Sequence, residues 1–149
     1  MVSSKIVIVA PQTEKEFEAY FLLRYQMLRK PWNKPKGSEK DDMENKCIHA
    51  MAIDENNDVV GVCRLQFNSL DEAQIRYMAV AELIQGKGIG KTLINYLENK
   101  AREKGIQKII LQSRSSAVEF YIKCGYQVRE KSYLMWGEIQ HFLMEKNLK

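Results

Sequence analysis

Three glycines fall within five residues of the stretch QGKGIGKTL, residues 85–93, and two lysines lie beside them. An amphipathic pattern follows at once, so we expect the loop to open a helix. Backbone N–H groups at a helix start converge on one point and favour an anion, and glycine lets ligand oxygens approach closely. The spacing therefore predicts a phosphate-binding loop. A tight turn from a strand into a helix, with no ligand, is the structural alternative.

Two common nucleotide motifs match this loop only in part. GKT at 90–92 is similar to the end of the P-loop pattern G-x-x-x-x-G-K-[ST], but the first glycine of that pattern would fall at Gln85. The next apolar run, KIILQS, lacks the aspartate that would hold magnesium. A dinucleotide-binding G-x-G-x-x-G needs glycine where Lys91 stands. A P-loop nucleotide-binding protein is therefore the weaker alternative.

A different pattern, Gln-x-x-Gly-x-Gly, is satisfied by Gln85, Gly88 and Gly90. The surrounding stretch IRYMAVAELIQGKGIGKTLI resembles the acyl-CoA-binding motif of the GNAT acetyltransferase superfamily. Further along, AVEFYIKCGYQV is similar to that family's A-x-x-F-Y-x-x-x-G-F signature, with Tyr126 as the last aromatic residue. The two motifs follow each other in the family's order. The resemblance covers most of the chain, most strongly from about 47 to 130.

The resemblance implies an N-acetyltransferase that transfers an acetyl group from acetyl-CoA to a primary amine within a ternary complex. It also implies that the loop amides bind the pyrophosphate of coenzyme A, while the end of the preceding strand pairs with the pantetheine arm through its main chain. No metal is expected. The cofactor-binding residues expected on this basis are Met78, Ala79, Val80, Gln85, Gly86, Lys87, Gly88, Ile89, Gly90, Lys91, Thr92, Arg114, Ser116 and Phe120.

Some of these positions have a second interpretation. Many members of the family have an asparagine where this chain has Arg114, so Arg114 either reaches a phosphate or caps a surface. Met78 and Val80 are expected to border the pantetheine arm, and the alternative is that they are core residues. The two interpretations are compatible, because the proposed contacts use the main chain. Ser116 either contacts the cofactor or caps the helix that follows it.

Tyr121 matches the family's usual general acid. Attack of an amine on a thioester expels a thiolate, which needs a proton, and a tyrosine with a pKa of about 10 keeps its proton at neutral pH. A helix tyrosine that only packs is the alternative. Cys124 could suggest a covalent acyl-enzyme, but its place at a helix end beside Gly125 is explained by packing.

The general base has several candidates: His141, Glu138, Glu72 and Glu82. We prefer His141, because EIQHFLM is similar to the family's G-I-P-H-x-x-M and a histidine suits proton transfer near neutral pH. A core histidine with a satisfied hydrogen bond is the alternative for His141. His49, the other histidine, is expected to be structural.

The resemblance implies that the acceptor is a small-molecule amine or a peptide amine, and its identity stays open. The first helix and the loop after it line the acceptor cleft in the family, and here that loop contains Asp41, Asp42 and Glu44. These acids either attract a cationic amine or form a solvated face. A CoA-binding sensor or scaffold that has lost catalysis is the alternative from another class of protein.

Bulk composition narrows the remaining classes. The chain has 149 residues, 45% hydrophobic and 28% charged, with a net charge of +4 and no block of like charges, so we expect one domain, 1–149, and no nucleic-acid partner. Three cysteines without a C-x-x-C pair indicate a reducing cytoplasm. The apolar run near the N-terminus is too short for a signal peptide or a membrane anchor. A homodimer is left open.

The elements that must position these residues follow from hydrophobic periodicity. Thr13 and Glu16 have the capping-box form, and the helix after them places Phe17, Phe21, Tyr25 and Leu28 on one stripe and ends before Pro31. Ile89, Leu93, Leu97 and Ala101 mark a second amphipathic helix, and a third ends near Cys124. The predicted strands are 6–9, 47–53, 59–67, 73–80, 108–113, 126–136 and 138–145.

In order the elements are β-α-β-β-β-α-β-α-β-β. This order predicts an α/β (α+β) fold with a mixed, mostly antiparallel sheet of about six to seven strands flanked by helices. The resemblance adds that the strand before the glycine loop splays from its neighbour to hold the acyl-CoA.

Overall fold

The computed structural model describes residues 5–148 and, within that range, contains seven β-strands and three α-helices. The order of elements along the chain is as predicted. None of the helices in this range is both long and apolar enough to cross a membrane. The strands are β1 (Val7–Val9), β2 (Ile48–Ile53), β3 (Val59–Phe67), β4 (Glu72–Val80), β5 (Lys108–Arg114), β6 (Gln127–Met135) and β7 (Ile139–Asn147). The helices are α1 (Glu14–Leu28), α2 (Ile89–Glu103) and α3 (Val118–Lys123).

The seven strands form one sheet in the order β1-β2-β3-β4-β5-β7-β6. Neighbouring strands are antiparallel except β4 and β5, which are parallel and connected through α2. Strand β7 inserts between β5 and β6, an order that the linear pattern did not predict. The sheet is therefore mixed and mostly antiparallel, which confirms the predicted fold class.

Strands β4 and β5 separate after a short parallel ladder. Their pairing runs only from Glu72–Ile75 against Lys108–Leu111. A bulge in β4 follows, because Val62 pairs with Ala79 and Arg64 with Arg76, which leaves Tyr77 and Met78 opposite Cys63 alone. Tyr77 takes a φ of 58°, which a β-branched or bulky residue rarely adopts. The expected splayed strand pair is thus present.

Helix α2 covers one face of the sheet because its apolar residues recur every four positions. Ile89, Leu93, Leu97 and Ala101 are all buried, in one core cluster that includes residues of β2, β3 and β5. This helix is as predicted, and it begins directly after the glycine loop. The fold therefore sets the loop at the edge of the gap between β4 and β5.

Helix α1 covers the opposite face and begins with the predicted capping box. The Glu16 N–H donates to Thr13 Oγ1 at 3.1 Å, and the Thr13 N–H donates to Glu16 Oε1 at 3.0 Å. In strand β2 the side chain of Met51 packs with α1, whereas its neighbours Ala50 and Ala52 belong to the cluster that contains α2. This alternation places the two helices on opposite faces.

The predicted apolar stripe of α1 is displaced in the structure. Its fully buried positions are Tyr20, Leu23 and Arg24, while the four predicted stripe residues are only partly buried. Arg24 is buried because its Nη1 pairs with Glu44 Oε2 at 2.8 Å and its guanidinium lies 4.2 Å from the centre of the Tyr77 ring. Hydrophobic periodicity does not anticipate a buried arginine.

Candidate active site

The splayed strands open into a cleft of about 890 Å³. Its walls come from the end of α1, the second half of β4, the glycine loop, the end of β5, the start of α3 and strands β6 and β7. Lys87, Lys91 and Thr92 do not line it and are exposed, and the Thr92 hydroxyl donates to the Gly88 carbonyl at 2.9 Å. The predicted site residues that line it are Met78, Ala79, Val80, Gln85, Gly86, Gly88, Ile89, Gly90, Arg114, Ser116, Phe120, Tyr121 and His141.

The glycines of the loop serve two different purposes. Gly86 and Gly88 have φ values of 84° and 82°, and no atom lies within 4 Å of where a Cβ would stand, so glycine is favoured there by backbone conformation. Gly90 is favoured by space, because its Cβ would lie 2.9 Å from Phe120 Cζ. The first N–H groups of α2 have no partner within the helix, which leaves them available to an anion at the loop.

The end of β4 presents backbone groups towards the gap. The Val80 carbonyl accepts from Gln85 Nε2 at 2.9 Å, so it faces away from β3. Backbone groups alternate in direction along a strand, so those of Met78 face the same open side. Gln85 thus ties the glycine loop to β4 through its side chain, a role that the sequence pattern did not predict.

Tyr121 is 7% exposed and lines the cleft. The rings of Phe120 and Tyr126 pack against it, with centroid distances of 4.9 Å and 6.1 Å. Burial raises the pKa of Tyr121 well above its ordinary value, which keeps the phenol protonated. Its hydroxyl makes no hydrogen bond to another residue in the described range. The hydroxyl is therefore able to donate a hydrogen bond or a proton to a group bound in the cleft.

His141 is 5% exposed and stacks on the Tyr133 ring at 4.4 Å between centroids. Its Nδ1 lies 3.0 Å from the Ile139 carbonyl oxygen, which can only accept, so Nδ1 carries the proton and Nε2 keeps a lone pair. Burial lowers the pKa of His141, and the charge of Arg114 lowers it further. A neutral imidazole with an available nitrogen meets the chemical requirement for a base.

The other proposed bases do not line the cleft. Glu82 and Glu138 are exposed, and Glu72 lies at the start of β4 with its carboxylate 3.6 Å from Lys108 Nζ. His49 uses both ring nitrogens, at 2.8 Å from the Tyr20 hydroxyl and 2.7 Å from the Glu44 carbonyl oxygen, so it is structural as expected. Of the candidates named from the sequence, His141 alone combines the position and the chemistry.

Two of the acids in the loop after α1 are already paired. Asp41 Oδ1 lies 2.7 Å from Arg64 Nη1, and Glu44 Oε2 lies 2.8 Å from Arg24 Nη1. Both arginine side chains are fully buried, so these carboxylates neutralise interior charges. Asp41 and Glu44 therefore do not form a solvated face, and they are not free to bind a cationic amine. Both interpretations made from the sequence are wrong for these two residues. Asp42 is exposed.

Several residues that line the cleft were not identified from the sequence: Met27, Arg29, Arg76, Tyr77, Gln112 and Tyr133. Arg76 and Tyr77 lie in the run AQIRYMAV, where alternation alone predicts a strand and does not reveal a bulge. Arg29 follows directly after α1, and its guanidinium lies near the rings of Tyr77 and Trp136, which are distant in sequence. Within residues 5–148, no group of three or more His, Cys, Asp or Glu side chains is placed to hold a metal ion.

The splayed mixed sheet, the glycine loop at the start of α2 and the phenol beside the opening define the architecture of a GNAT acyltransferase. A family model described as the acetyltransferase (GNAT) family matches residues 13–126. The chain therefore belongs to the GNAT family of N-acetyltransferases.

Known relatives agree with this assignment. N-acetyltransferase YjcF, an uncharacterised protein of Bacillus subtilis (strain 168), is 27% identical over 139 residues, covering 93% of this chain and 98% of YjcF. An acyl-CoA N-acyltransferase structure from Pseudomonas aeruginosa is similar with a TM-score of 0.79 and 20% identity, over 97% of this chain and 99% of that one. A GNAT acetyltransferase from Elizabethkingia anophelis with acetyl-CoA bound is similar with a TM-score of 0.73 and 19% identity, over 97% of both chains. At these identities the structures support the fold.

Proposed function

We propose that the protein transfers an acetyl group from acetyl-CoA to a primary amine, directly within a ternary complex. The observation that carries this proposal is that one cleft contains the glycine loop, the open edge of β4, the Tyr121 side chain and His141. The bound acetyl-CoA in the Elizabethkingia anophelis relative supports acetyl-CoA as the donor.

The donor would lie across the gap between β4 and β5. Free N–H groups from Gly86 to Lys91, together with the positive end of α2, suit a pyrophosphate, and the exposed Lys87 and Lys91 add positive charge nearby. The pantetheine amides would bond to the main chain of Met78 and its neighbours as an added strand. In this arrangement the thioester would lie near the bulge at Tyr77.

The reaction needs one group that accepts a proton and one that donates one. Deprotonating an alkylamine at neutral pH costs about 4 kcal/mol, from roughly three pKa units at about 1.36 kcal/mol each. His141 Nε2 takes this proton, and the amine nitrogen then attacks the thioester carbon. The C–N bond forms and the C–S bond breaks, while Tyr121 donates its hydroxyl proton to the leaving sulfur. The nitrogen loses its second proton as it becomes an amide, and this proton passes through water to restore the Tyr121 phenol, while His141 releases the first proton to solvent.

A thiol-release assay with acetyl-CoA and a panel of amines tests this function. Tyr121→Phe should slow turnover about 10²- to 10⁴-fold and leave acetyl-CoA affinity nearly unchanged, because the ring remains while the proton donor is lost. Tyr96→Phe, which alters a tyrosine on α2 outside the cleft, is the matched control and should behave like the wild type.

The same measurements separate the alternatives. A sensor or scaffold would be stabilised by acetyl-CoA in thermal unfolding yet release no thiol with any amine. A P-loop protein would be stabilised by ATP with magnesium and not by acetyl-CoA. A Tyr121→Phe variant with an unchanged rate would remove Tyr121 from the mechanism.

A further inference from the structure

The side chains that line the cleft carry charge of only one sign. Arg29, Arg76 and Arg114 line it, and within residues 5–148 no aspartate or glutamate does. His141 adds no negative charge. An acceptor with several positive charges would therefore meet repulsion, while an acceptor with an anionic group would find complementary charge.

Two of these arginines lack an acidic partner among the described residues. Arg29 donates only to main-chain carbonyls, those of Ser38 and Leu28, each at 3.1 Å. The Arg114 guanidinium makes neither a hydrogen bond nor an ion pair to another residue within the described range. Burial lowers the pKa of both guanidinium groups, and the nearby charge of Arg29 lowers the pKa of Arg114 further. Two partly desolvated cations that repel each other lack the counter-charge that such groups usually have.

The neighbouring arginines differ in this respect. Arg24 and Arg64 pair with Glu44 and Asp41, as described above, and Arg76 Nη1 reaches Asp41 Oδ2 at 3.4 Å. Asp41 and Glu44 are thus already paired with arginines that lie next to the cleft wall. The positive charges without an acidic partner are those of Arg29 and Arg114, which line the cleft.

Arg114 lies on the acceptor side of the sheet and not beside the glycine loop. Ile109 and Leu111 of β5 pack in the core cluster with α2, so the alternate residues Gln112 and Arg114 emerge on the other face, which α1 covers. Arg114 is also paired in register with His141, the proposed base. An anion bound by Arg114 would accordingly be close to the reacting amine and separated from the pyrophosphate loop.

A buried acceptor atom lies on the same face. Gln112 Oε1 is buried without a hydrogen-bond partner, and Gln112 lines the cleft two residues before Arg114. A buried carbonyl oxygen left unpaired costs free energy unless a ligand donates to it. The donor that an N-acetyltransferase brings to this side of the cleft is the N–H of its acceptor amine.

We propose that the acceptor is a small amine carrying an oxyanion, a carboxylate or a phosphate, which Arg29 and Arg114 bind while Gln112 Oε1 accepts from the amine. This proposal rests on the proposed function, since it assigns the acceptor half of the same cleft. Guanidinium groups match both oxyanions because their paired N–H groups bind two oxygens at once.

Matched pairs of amines test the proposal by thiol release at saturating acetyl-CoA. The pairs are glycine against glycinamide and phosphoethanolamine against ethanolamine, with spermidine as a polycation. The wild type should prefer at least one anionic member over its matched amine by about 10-fold or more in kcat/KM. The preferred pair tells a carboxylate from a phosphate. Equal rates within both pairs, or a preference for spermidine, would overturn the proposal.

Variants locate the preference in the structure. Arg114→Gln and Arg29→Gln should each bring the anionic preference close to one, mainly through KM, without weakening acetyl-CoA binding. Gln112→Leu should raise KM for every amine. Arg129→Gln, on the exposed part of β6, is the matched control and should keep the preference. If Arg114→Gln instead weakened acetyl-CoA binding and kept the preference, Arg114 would belong to the donor site and the proposal would fail.

Thermal unfolding in the presence of coenzyme A keeps the test independent of turnover. Stabilisation by glycine or phosphoethanolamine that disappears in Arg114→Gln would support the oxyanion site. If the same protein released no thiol, that result would count against acetyl transfer and would leave the oxyanion site standing. Absence of stabilisation by acetyl-CoA would count against the proposed function. Absence of any stabilisation or rate preference linked to the oxyanion would overturn the inference.

Discussion

Arg114 and His141 lie opposite each other in the sheet, with their Cα atoms in register between β5 and β7. Side chains of paired residues emerge on the same face, so a permanent cation stands beside the proposed base. Burial is the first cause of the lowered pKa of His141, and this cation is a further one, while the Ile139 carbonyl acts in the opposite direction. The proposed oxyanion site and the proposed base are therefore electrostatically coupled.

Arg114→Gln should raise the pKa of His141, because the imidazolium form would no longer be repelled by the guanidinium. Burial persists in this variant, so the pKa should still lie below the ordinary value of 6.5. Titration of the His141 ring protons by NMR measures the change directly. Arg129→Gln should leave the titration where it is in the wild type, and an unchanged titration in Arg114→Gln would mean that the two groups are not coupled.

His141→Gln should lower kcat/KM at neutral pH by about 10²- to 10⁴-fold, because the residue is proposed as the base. In the wild type the rate should fall as the pH drops through the lowered pKa of His141, because protonation removes the Nε2 lone pair. This acid limb should disappear in His141→Gln. Glu138→Gln alters an exposed residue of the turn before β7 and should keep both rate and profile. A wild-type acid limb that survives in His141→Gln would assign the base elsewhere.

Gly90→Ala should destabilise the fold, because the added Cβ would lie 2.9 Å from Phe120 Cζ. Overpacking of this kind typically costs about 1–3 kcal/mol, which thermal unfolding resolves. Adding Phe120→Leu removes the obstructing ring and should recover part of the loss. Gly86→Ala is the comparison, because its Cβ would meet no atom within 4 Å and its cost comes only from a φ of 84°. A double variant no more stable than Gly90→Ala would contradict the steric explanation.

Asp41→Asn should weaken the pH dependence of stability in acid. The hydrogen bond from Arg64 lowers the pKa of Asp41 from 3.8 to about 2. Because the folded-state pKa is the lower one, this carboxylate stabilises the fold above pH 3.8 and loses that effect as the pH falls towards about 2. The variant should be less stable at neutral pH and show a flatter curve between these values. Asp42→Asn, an exposed neighbour, should retain the wild-type curve.

The parts of the molecule that the sequence predicts well are those in which the cause is local. The capping box at Thr13, the four-residue repeat of α2 and the glycine loop each depend on residues within one turn or one strand. The sequence singles out Tyr121, which lines the cleft, because its neighbours form a compact motif. The insertion of β7 between β5 and β6 depends on pairings about thirty residues apart, which no local pattern records.

The arginine side of the cleft escaped prediction for a related reason. Arg24, Arg29, Arg64 and Arg76 come from α1, β3 and β4 and meet around the Tyr77 ring, with guanidinium carbons 4.2 to 5.7 Å from its centre. In the linear sequence each arginine is an ordinary polar position. The complete burial of Arg24 and Arg64 depends on Glu44 and Asp41, two acids from a separate loop that approach them in three dimensions.

The parallel ladder between β4 and β5 has four residue pairs, so the strand groups β1–β4 and β5–β7 share few backbone hydrogen bonds. Acetyl-CoA whose amides bridge the gap between β4 and β5 would help to hold the two strand groups together for as long as it is bound. Amide protons on both flanks should then exchange more slowly with deuterium when the donor is present. The stability of this protein in a cell would in that case rise and fall with the concentration of acetyl-CoA.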